Sequence, residues 1–336
     1  MAKKSGRTID ATPKGGVKRL IFRWEGGLVL IFIAVLILGS LISNSYNAVS
    51  VLREMPKYLC EIIMMFAMGY ILIIAEIDIS VGAIVCLSAT MGCFAGNAGM
   101  PLIVVALVCV GTGLACGALN GLILTRFREL PAMIVTLATQ IIFRGIAEVT
   151  LGSGGSVSFQ NAGTIMPLAN MVGPIPVVFF VVVAAAIIFI FALSRTTFGR
   201  RLYAIGSNST AAAYAGIPVQ RIRFTNFALI GLMAGLCALF YLSTTLGANT
   251  TTGQGYEMDV IAMCVFGGIA TTGGKGNLVG ALIAGFTIVC LRIALGQRNI
   301  NTQLILVIIG ILLIVSVLIP AISASLSAKK KRKTVA

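Results

Sequence analysis

The sequence predicts an all-α, polytopic integral membrane protein of about ten transmembrane helices. Three observations predict it. Hydrophobic residues make up 58% of the 336 residues, and charged residues only 10%. The apolar stretches recur at span length along most of the chain. Of the 25 lysines and arginines, 17 gather in three blocks: an N-terminal arm (Lys3 to Arg23), a central loop (Arg195 to Arg223) and the tail (Lys329 to Lys333). A soluble domain carries roughly a quarter charged residues and could not hide this much apolar surface in one core. Lipid receives it.

A span needs about 20 apolar residues to cross the hydrocarbon layer. Helices are expected near 27–43, 58–75, 80–96, 101–124, 132–150, 175–194, 224–246, 257–272, 278–296 and 303–320. They divide the chain into a basic arm (1–26), a transmembrane domain (27–320) and a basic tail (321–336). The first apolar run has no cleavable signal character and is followed directly by further spans. With both termini in the cytoplasm, the inner loops hold Arg126 and Arg128, Arg195 to Arg223, Lys275 and the tail. The outer loops 97–100, 151–174 and 247–256 hold no lysine or arginine, which matches the positive-inside rule. Arg53, Lys57 and Arg298 dissent mildly. Helices 2–5 and 7–10 form two sets of opposite orientation, an inverted repeat of the kind that places a path at its interface. The tract 58–96, interrupted by Glu76 and Asp78, reads either as a tight hairpin or as a helix broken at membrane depth.

Several function classes are set aside by composition. The chain has no histidine, the usual metal ligand and general base. Its eight cysteines lie in apolar stretches with no CxxC pair, the pattern of packing residues. The net charge of +15 comes without an aromatic stacking platform, so it marks membrane orientation and no nucleic acid partner is expected. The glycine-rich turn Gly267 to Asn277 lacks the GxxxxGK[ST] pattern, so the chain is expected to bind no cofactor and to hydrolyse no ATP.

Four segments carry chemistry. Glu76, Asp78 and Ser80 lie in Glu76-Ile-Asp-Ile-Ser-Val-Gly82, where carboxylates are costly. They either shape a polar pathway or, through Asp78 or Ser80, cap the next helix. Gly113, Gly117 and Gly121 recur every four residues, a face for close helix packing. Asn120 beside them serves an interhelical hydrogen bond or a substrate. Gly276 and Gly280 are read as packing glycines in the same way. Thr136, Gln140, Arg144 and Glu148 form a polar stripe that must line a pore or a buried seam, and Arg144 and Glu148 are spaced to pair. Finally, Phe198 to Ile217 contains a short alanine-rich helix, capped at Ser207, Asn208 or Ser209 and ended by Gly216 before Pro218. Too short to span, it suits docking of a soluble partner or rest on lipid headgroups.

Together these segments resemble the permease subunits of bacterial ABC importers for monosaccharides, the ribose/xylose/arabinose/galactose group that includes rhamnose and autoinducer-2 permeases. The resemblance rests on Ile77 to Gly82, Gly117 to Gly121, Pro131 to Gly145, Gly199 to Val219 and Asp259 through Gly280, over about residues 55–320. It implies an extracytoplasmic solute-binding protein, a cytoplasmic ATPase with two nucleotide-binding domains holding ATP and Mg, and a second permease copy or paralogue in a bacterial inner membrane. It also implies a coupling role for Gly199, Arg200, Tyr203, Ala204, Gly206, Asn208, Ala212 and Gly216. Two departures stand out: Ser209 and Thr210 where the family usually has acidic residues, and Glu76 where it commonly has glycine. The competing expectation is a stand-alone ion-coupled transporter or channel, for which Glu61, Glu76, Asp78 and Glu148 are the candidate coupling groups. A membrane enzyme would need a nucleophile–base pair that is not visible.

Overall fold

The computed structural model describes residues 24–301 apart from 44, together with 304, 305, 307–311 and 314. The basic tail and almost all of the N-terminal arm lie outside the described residues, as does much of the expected last span. Its described positions between 304 and 314 are helical.

Helices α1 (Trp24–Ile42), α2 (Ala48–Glu54) and α3 (Pro56–Ile73) open the chain. A capping box starts α2: Ser50 N donates to Asn47 Oδ1 at 2.9 Å and Asn47 N to Ser50 Oγ at 3.1 Å. Pro56 starts α3 at a position where its missing N–H costs nothing. Helix α3 is apolar on every side, and Leu59 to Ile73 are buried without interruption. Such a helix belongs at the centre of a bundle. It packs against α8, α11, α12 and α13, defined below.

Helices α4 (Val81–Asn97), α5 (Leu102–Arg126) and α6 (Ala132–Leu151) follow, the last two each begun after a proline. A loop then carries β1 (Ser156–Ser158), α7 (Ala162–Ile165), β2 (Met171–Val172) and β3 (Ile175–Pro176). After it come α8 (Val177–Arg195), α9 (Thr197–Ser207), α10 (Ser209–Tyr214), α11 (Val219–Thr245), β4 (Gly247–Asn249), α12 (Tyr256–Phe266) and α13 (Leu278–Gly296). Strands β1 and β4 pair antiparallel, Val157 opposite Ala248. Strands β2 and β3 form a second small ribbon.

Among the described residues six helices, α3, α5, α6, α8, α11 and α13, are long and apolar enough to cross a membrane. Helix α4 and the stretch Gly26–Ile42 are apolar but shorter. The chain is therefore a helical, polytopic membrane protein. The expected helix at 257–272 is only the 11-residue α12, about 17 Å long against a hydrocarbon layer of about 30 Å. It stops where Gly267 presses against the backbone of Gly280 and Ala281, and Gly268 turns at φ +90°. The expected alanine-rich helix is α10, capped at Asn208, and a separate helix, α9, precedes it.

A close glycine seam joins α5 to α11. A Cβ on Gly113 would strike Gly231 O and lie 2.6 Å from Gly235 N, and one on Gly117 would strike Phe227 O. Only hydrogen fits at these places, and the two backbones meet there. Gly121 lies against Phe224.

Between α3 and α4 the chain does not fold back into a packed hairpin. Helix α3 ends in a left-handed turn at Ala75 (φ 63°), with Glu76 N donating to Ile71 O at 3.0 Å and Ala75 N to Leu72 O at 2.9 Å. Residues 76–79 then run extended to Ser80, and α4 packs on α5, α6 and α11.

Candidate functional site

Asp78, Ser80, Asn120 and Thr136, singled out on three separate segments, meet inside the bundle, each fully buried. Asp78 Oδ1 accepts from Ser80 N at 2.8 Å and Ser80 Oγ at 2.6 Å, so the carboxylate shapes a local turn. Asn120 Nδ2 donates to Ser80 Oγ at 2.8 Å, tying α5 to the extended segment. Ile79 N donates to Thr136 Oγ1 at 3.2 Å, tying α6 to it as well. Asp78 Oδ2 and Asn120 Oδ1 are buried without a hydrogen-bond partner among the described residues.

Glu76 lies two residues away and faces Arg223. Its Oε1 is 2.5 Å from Arg223 Nε, and Arg223 Nη1 donates to Leu124 O at 2.7 Å. One guanidinium thus joins the segment after α3, the end of α5 and the start of α11. The sequence offered Arg223 only as one of several loop cations; its place within the first turns of a long apolar helix was the legible signal.

Farther along α6, Gln140 is half-buried. Arg144 does not pair with Glu148 as its spacing suggested. Its Nη1 donates to Thr250 O at 2.6 Å and Thr252 O at 3.3 Å. The reason is proximity: the loop after β4 descends beside α4, with Asn249 O near Cys86 and Gly253 against Gly82. A Cβ on Gly82 would strike both Gly253 O and the Glu257 carboxylate. The starts of α4 and α12 therefore abut.

A second charged cluster sits toward the other end of α3. Arg292 of α13 lies 2.5 Å from Asp259 Oδ1 of α12 and 3.3 Å from both carboxylate oxygens of Glu61. Sequence reasoning weighed Glu61 only as an ion-coupling group and missed its partners. Arg292 is the sole charged residue in α13, which was the available signal.

At the Ile73 end, α9 and α10 dock on the bundle. Thr196 Oγ1 accepts from Gly199 N to start α9, and Asn208 Oδ1 accepts from Ala211 N at 2.9 Å to start α10. Gly216 (φ 81°) ends α10, with Ile217 N donating to Ala212 O at 3.1 Å. Tyr203 Oη donates to Gly276 O at 2.7 Å, and Gly274 N donates to Ile73 O at 2.8 Å. Burial pushes the Tyr203 phenol above its ordinary value, which keeps it a donor. Gly206 lies so close to Ile73 O and Gly274 N that a Cβ would collide with both. Gly276 (φ 142°) presses on Ile269, Gly280 on Gly267 O, and Gly199 on the Leu193 backbone. Ala212 is buried and Ala204 half-buried, whereas Arg200, Asn208 and Gly216 are exposed. Tyr214 is 90% exposed. One side of this pair of helices is thus sealed to the bundle and the other is open.

Residues 58–317 match the family described as the permease component of the branched-chain amino acid transport system. The chain belongs to that permease family. Its similar relatives include a ribose import permease of Bacillus subtilis, 34% identical over 299 residues that cover 87% of this chain and 90% of the relative. A fructose import permease of Bifidobacterium longum is 28% identical, with 90% and 92% covered. An autoinducer 2 import permease of Yersinia enterocolitica is 31% identical, with 78% and 72% covered. No solved structure matches significantly. The Asp78–Asn120–Thr136 cluster, the abutting half-helices and the α9–α10 platform all fall within the part of the chain that matches the permease family.

Proposed function

We propose that this chain is the membrane subunit of an ATP-driven, binding-protein-dependent importer that carries a monosaccharide or a similar small polyol into the cytoplasm. Similarity to ribose, fructose and autoinducer 2 import permeases over most of both chains carries the reading. The family description names amino acids, but these relatives favour a sugar.

In this reading the Ile73 end of the bundle faces the cytoplasm, because Arg126, Arg128 and the arginines of 195–223 cluster there. Both termini, the arm 1–26 and the tail 321–336, lie on the same side. The open face of α9–α10 receives a cytoplasmic ATPase with two nucleotide-binding domains, which holds ATP and Mg. An extracytoplasmic solute-binding protein delivers ligand at the opposite end, and a second permease copy or paralogue completes the path. The permease performs no bond chemistry of its own.

Inverted repeats over about ten helices fit the packing. Helix α11 packs on α3, α4 and α5, while α3 packs on α11, α12 and α13. Exchanging the two sets maps one pattern onto the other. Each set also begins with a helix that ends in a left-handed, non-glycine turn, Ala75 after α3 and Leu246 after α11. Residues 76–80 after the first turn, and β4 with the turn 250–255 after the second, bring the starts of α4 and α12 to the Gly82–Gly253 contact. Irregular backbone at membrane depth is tolerated where it lines a path. Asp78, Ser80, Asn120, Thr136, Gln140 and Arg144 then border that path, with Arg144 fixing the loop 250–253. Motion of the ATPase reaches Ile73 through Gly206 and Gly274.

Reconstitution of the chain with its ATPase and binding protein in liposomes tests this. D-ribose, D-fructose, D-allose and leucine are the ligands to try. Sugar-stimulated ATP hydrolysis and ATP-dependent uptake are expected. Uptake by the chain alone, driven by a proton or sodium gradient without ATP, would overturn the proposal.

A further inference from the structure

The cluster of Glu61, Arg292 and Asp259 opens onto a cleft of about 600 Å³ at the end of the bundle opposite Ile73. That volume lies within the range of small-molecule sites. Glu61 is 2% exposed, Arg292 8% and Asp259 9%, so three charges are held out of water at its floor. Buried ion clusters are costly unless well satisfied, and this one is not. Two carboxylates face one guanidinium, leaving an excess of acceptors. The Asp259 contact is tight at 2.5 Å, but both Glu61 oxygens share a single Arg292 nitrogen at 3.3 Å. Charge-assisted bonds are ordinarily about 2.7–2.9 Å, so Glu61 keeps acceptor capacity. Arg292 Nε, buried at the same floor, has no hydrogen-bond acceptor. The cluster thus leaves Glu61 with one shared, long donor and Arg292 Nε with no acceptor. A pair of adjacent hydroxyls supplies a further donor and an acceptor, since each hydroxyl donates and accepts. Tyr58 and Tyr256 also line the cleft, with Arg292 5.8 Å from the Tyr58 ring centre. Their rings offer flat apolar faces for the C–H side of a polyol.

We propose that Glu61, Arg292, Asp259 and Tyr58 form an entry subsite for the vicinal hydroxyls of a polyol. It rests on the transport reading above and adds a place where the ligand first touches the permease. A zwitterionic amino acid is the competing ligand, its ammonium toward the two carboxylates and its carboxylate toward Arg292 and Lys57, so leucine is the control. A metal cation would have to displace Arg292 from Asp259.

The test uses the purified chain in lipid nanodiscs with D-ribose, D-fructose or D-allose at millimolar concentration, read by saturation-transfer NMR, with leucine as control. At least one sugar should give a signal and leucine none. Asp259→Asn, which releases the Arg292 guanidinium from the ion pair that positions it, should weaken the sugar by about tenfold or more. Because Asp259 is buried, Tyr58→Ala at the half-buried rim serves as a second variant, with Tyr58→Phe retaining binding. No signal from any sugar, leucine binding equally well, or sugar signals unchanged in both Asp259→Asn and Tyr58→Ala would each overturn the subsite. Stimulated ATP hydrolysis by the full complex separates the two proposals. If Asp259→Asn leaves both its maximum and its sugar dependence intact, the subsite falls while the importer stands. If the unaltered complex shows no stimulation by any sugar, the importer reading falls first.

Discussion

Arg223 lies 2.5 Å from Glu76 and at the same time donates to the carbonyl of Leu124, so one side chain holds three elements at one end of the bundle. Both partners are largely buried, with side chains 11% and 17% exposed. Removing one partner of such a pair strands the other, at a cost of about 3–5 kcal/mol. Arg223→Met should therefore lower stability by about 3 kcal/mol, whereas Arg223→Met combined with Glu76→Gln should recover part of the loss. A double-mutant cycle from thermal unfolding in detergent measures it; additive losses would show that the pair is not coupled.

Gly206 and Gly274 let α9 touch the end of α3 with no side chain between them. Gly206→Val should separate these backbones and reduce stimulated ATP hydrolysis by tenfold or more, with the chain still inserted. Unchanged stimulation would show that force does not travel through this contact.

Tyr203→Phe removes the hydroxyl that donates to Gly276 O at 2.7 Å. A loss of about 1 kcal/mol of stability is expected. Its folded-state value is raised, so its contribution is whole below the ordinary tyrosine value of about 10 and fades as pH climbs through the folded-state value. Unfolding midpoints of Tyr203→Phe and the unaltered chain should therefore differ at pH 7 and converge at strongly alkaline pH.

Arg144→Ala frees the carbonyls of Thr250 and Thr252. Transport should fall by tenfold or more, and a cysteine placed at Thr251 should react faster with a thiol reagent. Equal reaction rates would show that Arg144 does not hold the loop.

Tyr214→Cys tests orientation directly. All eight native cysteines are buried, so the background is low. An impermeant maleimide should label the new thiol in inside-out vesicles and leave it unlabelled in intact cells. The reverse would place α9 and α10 on the wrong side for an ATPase.

Among the described residues six of the expected spans were readable, because lipid demands long apolar helices. The glycine face of α5 and the end of α10 at Gly216 were readable for local reasons. What the sequence hid was pairing across distance. Asp259 and Arg292 lie on neighbouring helices, but their third partner, Glu61, is 231 residues from Arg292. Arg144 had an acid one helical turn away and still turned to carbonyls 106 and 108 residues off. Local spacing could not show that the loop 250–253 dips beside α4. The shortness of α12 was legible in the glycine-rich turn that begins at Gly267, before the expected end of that helix at 272.

Ala75 and Leu246 bend backward at positions where a glycine would sit without effort. An L-residue in that conformation carries roughly 1–2 kcal/mol of discomfort. The protein thus has two stiff elbows where loose ones were available, each placed between a long helix and a half-helix. Among the described residues every other left-handed bend but Asn299 falls on glycine, Gly253 and Gly255 before α12 included, so these two elbows are stiff bends among permissive ones.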